Sequence, residues 1–312
     1  FNPLLGLQGI QFLPQFVNFP NTAQDGESSD DNVDYTFKLA YTLNDTTSIY
    51  GGVSTGYKAT AWNISRDSLP DATEIAALAL AGTPVGPNTG VGRRYADPEE
   101  SEVLEVGAKI KLPTGYLNIA LFDQKIEGFQ SNTFIGTGFI LANAGSQSTK
   151  GYEFDLVMSP TDSIDLAISG LFMDPIYDSF PNSSSGDLTG TMPSNVSENT
   201  VSSTITWNWN LNNWDGYLRI SHLYASEAKM LENPAWQAIL ENAGNGMKTQ
   251  DTMNFSAGIE RDNFSITIWG KNINDDKYLI SAFPAVADPT FTTFFGYPNA
   301  YSSYGATLNY RF

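Results

Sequence analysis

The chain has 312 residues, 41% of them hydrophobic, which is enough to bury a sizeable apolar surface. Its net charge of -18 argues against nucleic acid as a partner, because binding to phosphates requires Lys and Arg. It has no cysteine, which excludes disulfides and thiolate metal sites. It also has no run of about eighteen apolar residues, which excludes a transmembrane helix.

A regular pattern begins at residue 33. Residues 1–32 are interrupted by three prolines and contain an acidic run at 25–31, so we interpret them as a loop or the end of a preceding strand. Residues 33–43 then place an apolar side chain at every second position. A tight turn at 44–47 leads into residues 48–58, and this combination predicts two antiparallel strands.

The next connection, residues 60–100, is too long for an ordinary loop. Residues 72–81 within it read ATEIAALALA, preceded by Pro70-Asp71 and followed by Gly82. This pattern predicts one short helix. An apolar helix in a loop more often packs against neighbouring loops than serves as a binding lid.

The clearest strands lie between residues 102 and 158. Apolar residues occupy alternate positions over 104–112, 117–121 and 152–158, with polar side chains between them. Each strand therefore has one apolar face and one polar face. A strand that crosses a bilayer needs roughly 9–11 residues, whereas an average strand has about five to six. These strands have the length and pattern of membrane strands.

The rest of the chain repeats this arrangement. Further strand patterns bring the total to about eleven, and they lie at 164–169, 201–209, 218–224, 253–259, 264–268 and 304–312. Residues 175–198 are rich in Pro, Ser and Asn and predict a loop. Residues 227–241 predict a helix broken by Pro234. Short turns and long loops alternate along the chain, as in outer-membrane barrels with periplasmic turns and extracellular loops.

Several motifs, in this order and spacing, resemble the barrel of TonB-dependent outer-membrane receptors. They are Gly56-Tyr57-Lys58, the run from Glu105 to Lys111, the N-x-A-x-F of 118–122, Asn143-Ala144-Gly145, Lys150-Gly151-Tyr152-Glu153, and the N-x-x-D-x-x-Y of 272–278. The terminal Leu308, Tyr310 and Phe312 resemble the signal by which outer-membrane barrels are recognised for assembly. Two segments depart from the family pattern, Ala59-Thr60-Ala61 and Ser302-Ser303.

The resemblance implies an all-β fold, an antiparallel transmembrane β-barrel of which residues 33–312 form the C-terminal half. The family barrel has about 22 strands, a plugged lumen and long extracellular loops. Residues 1–32 would then be extracellular, and the plug domain would lie outside this chain. Expected partners are outer-membrane lipid, the plug and remaining barrel strands, the TonB energising complex through the missing N-terminal region, the outer-membrane assembly machinery and a small-molecule ligand.

The same resemblance implies active import of a scarce, bulky solute, most often a ferric siderophore. It implies no cofactor. We identify no catalytic residue and no metal site; the single His222 is interpreted as a rim residue rather than part of a lipolytic site. Three alternatives remain open: a passive porin-like channel, a soluble all-β adhesin and, least favoured, a lipolytic barrel enzyme. The sequence does not identify the ligand.

Five residues of the predicted extracellular loops are candidate ligand contacts: Trp62, Arg93, Arg94, Tyr95 and Trp236. Two adjacent guanidinium groups can pair with anionic groups, and aromatic rings can stack on a planar ligand. The simpler explanation is that Arg93 and Arg94 neutralise acidic residues at 97–100.

Overall fold

The computed structural model describes residues 27–62, 95–134, 139–181, 183, 185–285, 288 and 292–312. The helix predicted over 72–81, together with Arg93 and Arg94, lies outside these residues. The described chain forms the following elements, in order: β1 (Thr36–Asn44), β2 (Thr47–Lys58), β3 (Ala61–Trp62), β4 (Tyr95–Ala96), β5 (Glu99–Leu112), β6 (Gly115–Glu127), β7 (Gln130–Phe134), β8 (Phe139–Asn143), β9 (Ser146–Thr161), β10 (Ile164–Ser179), β11 (Asn199–Leu211), β12 (Trp214–Lys229), α1 (Pro234–Asn242), β13 (Met247–Arg261), β14 (Phe264–Lys271), β15 (Leu279–Pro284), β16 (Phe294–Pro298) and β17 (Ser303–Tyr310).

One sheet of eleven strands dominates the structure. Its order is β1-β2-β5-β6-β9-β10-β11-β12-β13-β14-β17, so each strand pairs with the next main strand along the chain. Every pairing is antiparallel. The main-strand count and the alternation of short turns with long connections confirm the sequence prediction. Within the described residues, three further antiparallel strand pairs, β3–β4, β7–β8 and β15–β16, lie in the long connections.

The short turns all lie at one end of the sheet. The turn between β11 and β12 shows how the sequence makes them, because Asn212 and Asn213 both have positive φ angles, 51° and 64°. Two consecutive left-handed residues form the turn whose twist matches that of antiparallel strands, and Asn tolerates this conformation well.

The sheet has one apolar and one polar face, as the alternation predicts. A row of Cα partners on the apolar face runs through Ile49, Ala108, Ile119 and Phe154. The neighbouring row on the polar face runs through Ser48, Lys109, Asn118 and Asp155. On the apolar face Leu104, Val106 and Leu121 are 55%, 48% and 55% exposed. An exposed apolar surface of this extent is suited to lipid.

Aromatic rings lie over glycines of neighbouring strands. On the polar face Tyr50 is the Cα partner of Gly107, and a Cβ atom on this glycine would lie 2.6 Å from the tyrosine ring. Trp269 covers Gly305 in the same manner. The glycines therefore provide the space that lets large rings lie flat against the sheet.

The predicted loop at 175–198 begins too early, because β10 continues to Ser179. This prediction of a loop from Pro175 onward is wrong for a physical reason. Beyond Phe172, β10 pairs with β9 but not with β11. The N–H groups of Met173 and Tyr177 bond to Glu198 and Thr191 on that other side. The backbone nitrogen of residue 175 faces the same way as those of Met173 and Tyr177, away from β9. Its missing N–H therefore removes no hydrogen bond between β9 and β10.

The helix predicted over 227–241 is also shorter than expected. Residues up to Lys229 belong to β12, and α1 begins at Pro234 instead of being broken by it. Proline suits the first turn of a helix because its N–H would have no helical partner. The Asn233 side chain caps the helix by accepting from the N–H groups of Ala235 and Trp236. Among the described residues no helix is long and apolar enough to span a membrane.

The two faces give a direct test of membrane orientation. Val106 lies on the apolar face near the middle of β5, whereas Lys109 lies on the polar face of the same strand. An arginine facing the middle of a bilayer costs about 2–4 kcal/mol. We therefore expect Val106→Arg in the full-length protein to reduce the folded, heat-modifiable fraction in outer-membrane extracts. Lys109→Arg is the control and should leave it unchanged; equal effects would contradict the assignment of faces.

The sheet edges generate a second prediction. Within the described residues β1 pairs only with β2, and β17 only with β14. An unpaired strand edge in lipid leaves N–H and C=O groups without partners, at several kcal/mol for each group. Refolding of residues 1–312 alone in detergent should give aggregates, or a species without heat-modifiable migration on gels. A stable monomeric barrel from this fragment would show that the edges are closed in another way.

Candidate functional site

Five long connections leave the sheet at the end opposite the short turns. They comprise residues 59–98, 128–145, 180–198, 230–246 and 272–302. In an outer-membrane barrel this is the extracellular end, where a solute is first met. The contacts between these connections decide whether they act separately or form one surface.

Side chains of the second connection form hydrogen bonds with the base of the first. The Gln130 side chain donates from Nε2 to the carbonyl oxygens of Ala59 and Asp97, both at 2.9 Å. Asn143 donates to the same Asp97 oxygen at 2.9 Å and accepts from the Asp97 N–H at 2.8 Å. The Gln130 N–H donates to Glu99 Oε2 at 2.8 Å. The first connection is therefore held at both ends.

Tyr177 joins the second, third and fourth connections. Its hydroxyl donates to Glu232 Oε1 at 2.9 Å, and the same oxygen accepts from the Ser194 N–H at 3.0 Å. The Tyr177 ring is 2% exposed and packs against Phe129 and Phe180, with ring centroids 6.1 Å and 5.2 Å away. The second, third and fourth connections meet at this one side chain.

The environment of Tyr177 also fixes its protonation. About eleven residues of β10, counted from the periplasmic turn, suffice to cross the bilayer, so Tyr177 lies beyond the membrane-spanning segment. Burial and then the negative charge of Glu232 raise the pKa of the Tyr177 phenol above its ordinary value. The phenol therefore remains a hydrogen-bond donor to Glu232 throughout the physiological range.

The fourth and fifth connections share a small apolar core. It comprises Met230, Leu240 and Ala282, which are 3%, 5% and 7% exposed. The Gln237 side chain of α1 satisfies the backbone beside this core, because its Oε1 accepts from the Met230 N–H at 3.1 Å and its Nε2 donates to the Gly246 oxygen at 2.7 Å. With these contacts, all five connections are linked in series.

The motif at 272–278 closes the base of the fifth connection. Asn272 is 4% exposed, and its Nδ2 donates to the carbonyl oxygens of Asp276 and Ala300, both at 2.9 Å. Its Oδ1 accepts from the Asp276 N–H at 2.9 Å. One amide thus joins the two ends of the connection before the chain enters β17.

The same motif satisfies an exposed stretch of sheet edge. The pairing of β13 with β14 ends at Phe255 and Gly270, although β13 extends further at its outer end. There the side chains of Asp276 and Asn274 accept from the N–H groups of Asp251 and Met253, at 2.8 Å and 2.9 Å. The motif therefore replaces a strand partner where β14 has ended.

The structure brings together two of the five candidate ligand contacts. Trp62 and Tyr95 are Cα partners in the β3–β4 hairpin, and their ring centroids lie 5.0 Å apart. The Trp62 indole donates to Ser28 Oγ at 3.1 Å. Arg93 and Arg94, which precede this hairpin strand, lie outside the described residues. Trp236 lies on α1, in the fourth connection, so it belongs to a different part of the extracellular end.

Other predicted positions are found on the apolar face. Leu308 and Tyr310 of β17 pair with Ile266 and Phe264, and they are 65% and 60% exposed. The Phe312 ring lies 5.2 Å from that of Tyr310. Their role as an assembly signal stays a prediction, since their position does not test it.

His222 also projects from the apolar face, as its position in the alternation predicts. Its Nε2 lies 2.6 Å from Asp251 Oδ1, near the outer end of β12. Both side chains are well exposed, at 36% and 60%. Within the part of the chain that the structure describes, no three His, Asp or Glu side chains are grouped to hold a metal ion.

Sequence reasoning alone does not single out Gln130 or Tyr177. Their partners lie far away along the chain, and neither residue interrupts a local pattern. Asn143 and Asn272 do stand out as motif residues, but the motif does not reveal that they bind backbone groups at the bases of loops. The available signal is an Asn or Gln close to a Gly where a membrane strand ends.

Comparison with solved structures identifies the same architecture. The chain is similar to the ferric yersiniabactin uptake receptor FyuA from Yersinia pestis, with a TM-score of 0.68, 17% identity and coverage of 92% of this chain and 38% of that one. The siderophore receptor PiuA from Acinetobacter baumannii gives a TM-score of 0.59 and 16% identity, covering 93% and 38%. The ferric-catecholate import receptor Fiu from Escherichia coli K12 gives 0.61 and 13%, also covering 93% and 38%.

The TM-scores show a shared fold, and the chain spans 38% of the length of each of the three receptors. No curated protein matches the chain. The family model described as TonB dependent receptor-like, beta-barrel matches residues 14–312. The chain therefore belongs to the TonB-dependent receptor β-barrel family, whose barrels lie in the outer membrane of Gram-negative bacteria.

Proposed function

We propose that this chain is the C-terminal barrel portion of an outer-membrane receptor for TonB-energised uptake of a ferric siderophore. The observation that carries the proposal is the linked layer of five extracellular connections above a wall with a polar inner face. The family consists of receptors and transporters rather than enzymes, so we assign the chain no catalytic step.

The wall supports transport of a polar solute. Glu105, Lys109, Glu153 and Asp155 all lie on the polar face, opposite the row of apolar side chains. Such a surface suits contact with water, with a plug domain and with a hydrophilic cargo, and it would be unfavourable against lipid.

The extracellular end supports capture of a ligand with planar groups. Trp62 and Tyr95 form a tilted aromatic pair on the first connection. Aromatic rings bind planar ligand groups through stacking and edge contacts. Siderophore receptors are among the structures of the same fold, and this favours a ferric siderophore over other bulky solutes. The five predicted contacts, Trp62, Arg93, Arg94, Tyr95 and Trp236, remain our candidates for the capture site.

The proposed cycle requires parts outside this chain. An N-terminal plug and the remaining strands would complete the barrel, and the TonB complex would act on the plug from the periplasm. In this proposal residues 33–312 supply the wall and connections against which the plug moves. We assign insertion into the membrane to the outer-membrane assembly machinery, with β17 as the recognised strand.

The energy requirement tests the proposal. Cells that carry the full-length gene should accumulate ⁵⁵Fe from ferric yersiniabactin or from a ferric catecholate complex, and a protonophore or deletion of TonB should abolish this uptake. A strain without the receptor gene is the control for other routes. Uptake that continues without TonB would instead indicate a passive porin-like channel.

The two arginines test ligand capture. In the full-length receptor, the double variant Arg93→Ala/Arg94→Ala should bind a ferric siderophore more weakly, by about 1.5–3 kcal/mol for each charged hydrogen bond lost. Surface abundance should not change, because the substitutions leave β2 and β5, the main-sheet strands that flank this connection, unaltered. Whole-cell binding with ⁵⁵Fe-siderophore measures the affinity. Unchanged affinity would mean that the arginines only neutralise the acidic residues at 97–100.

A further inference from the structure

One side chain bridges the two ends of the longest connection, between the last pair of β2 with β5 and the first pair of β3 with β4. Ala59 follows β2 and Asp97 precedes β5, so these residues are the two ends of the connection. Both carbonyl oxygens accept a hydrogen bond from the same atom, Gln130 Nε2, at 2.9 Å. Gln130 belongs to the next connection and is 7% exposed. A buried amide therefore holds the two ends of a neighbouring loop at a fixed separation.

The surroundings fix the orientation of this amide. Its nitrogen faces two carbonyl oxygens, so the reversed orientation would place an oxygen against both of them. The main-chain N–H of Gln130 also donates a hydrogen bond to Glu99 Oε2. This carboxylate oxygen lies 3.4 Å from Lys58 Nζ. Glu99 and Lys58 directly flank the two ends of the loop. The amide is thus fixed relative to β2 and β5 as well as to the loop.

The arrangement has an energetic cost that a filler residue would avoid. Gln130 Oε1 is buried and has no hydrogen-bond partner among the residues that the structure describes. A buried acceptor without a partner is destabilising, and a methionine of similar length would fill the same space without this oxygen. The feature that an amide supplies here is its pair of N–H donors, both directed at the ends of the loop.

The two hydrogen bonds from Gln130 to Ala59 and Asp97, which we call the clamp, lie next to the Trp62–Tyr95 aromatic pair. Ala59 precedes β3 and Asp97 follows β4, and β3 and β4 pair Ala61 with Ala96 and Trp62 with Tyr95. The pairing of β3 with β4 continues the register of β2 with β5, in which Lys58 pairs with Glu99, and the two Gln130 bonds lie at the interruption between these pairings. We propose that Gln130 is a positioning residue for ligand capture, because it holds the Trp62–Tyr95 pair together from a neighbouring loop without touching the ligand. This inference rests on the proposed function, in which that pair contacts the ligand.

A disulfide reporter tests the clamp without any ligand. The chain has no native cysteine, so Ala61→Cys/Ala96→Cys places one thiol on each strand of the hairpin. In the full-length receptor on intact cells, we expect efficient cross-linking with a mild oxidant. Adding Gln130→Glu or Gln130→Met should slow disulfide formation by about fivefold to tenfold, the effect of losing a hydrogen bond of average strength.

Two controls separate hydrogen bonding from charge and shape. Gln250→Glu on β13 makes the same change of charge at a residue outside the first and second connections, and it should leave the cross-linking rate unchanged. Gln130→Met keeps the size of the side chain but removes both donors. Wild-type cross-linking in the Gln130→Met background would overturn the proposal. Loss of receptor assembly with both Gln130 variants would also overturn it, because Gln130 would then be needed for folding.

Uptake kinetics connect the clamp to function. With ⁵⁵Fe-yersiniabactin or a ⁵⁵Fe-catecholate complex as the probe, Gln130→Met should raise the KM for uptake about fivefold or more and leave the maximal rate per surface receptor unchanged. A merely destabilised receptor would instead lower the maximal rate through reduced abundance. If the wild-type receptor takes up neither probe, the proposed function fails while the cross-linking result still tests the clamp. If uptake is normal and its KM does not change, positioning by Gln130 is wrong.

Discussion

The structure depends on one constraint, that a backbone N–H or C=O group facing lipid must find its partner within the protein. An antiparallel sheet meets this demand between strands, and here each main strand pairs with the next main strand along the chain. The constraint persists where neighbouring strands end at different heights. At the outer end of β13, side chains of Asn274 and Asp276 bond to backbone N–H groups that β14 no longer reaches. At the bases of loops, polar side chains therefore supply the hydrogen-bond partners that a neighbouring strand supplies elsewhere.

This view explains why recognisable family motifs reveal so little about the ligand. Asn143 holds Asp97 at the base of the first connection, and Asn272 joins the two ends of the fifth. Gly145 is confined for a related reason, because a Cβ atom there would collide with Ser179. These residues hydrogen-bond backbone groups or allow close packing, and neither role depends on which ligand is bound. The ligand contacts that we propose lie outside these motifs, where no such requirement restricts the sequence.

The wall could be predicted from the sequence because its signal is local. Alternation of apolar and polar residues over a strand long enough to cross the bilayer specifies both the strand and its outward face, and the positions of Val106 and Lys109 follow from it.

The prediction failed where pairing partners decide the outcome. Pro175 suggests a loop until the structure shows that its missing N–H would have faced away from β9. Pro234 suggests a break until Asn233 is seen to cap a helix that begins there. Of the candidate site, the proximity of Trp62 and Tyr95 depends on the pairing of β3 with β4, which their separation in sequence conceals.

The linkage between connections sets how far a change at one of them can extend. The first connection is tied to the second by Gln130 and Asn143, the second to the third and fourth around Tyr177, and the fourth to the fifth through Met230, Leu240 and Ala282. Each tie includes a buried group, and a buried polar group that loses its partner is strongly destabilising. Moving one base relative to the next would therefore break a hydrogen bond or open an apolar contact, so such a displacement is disfavoured. By this reasoning the shape of the extracellular surface is a property of the whole series of connections, while the strands below them provide a fixed frame.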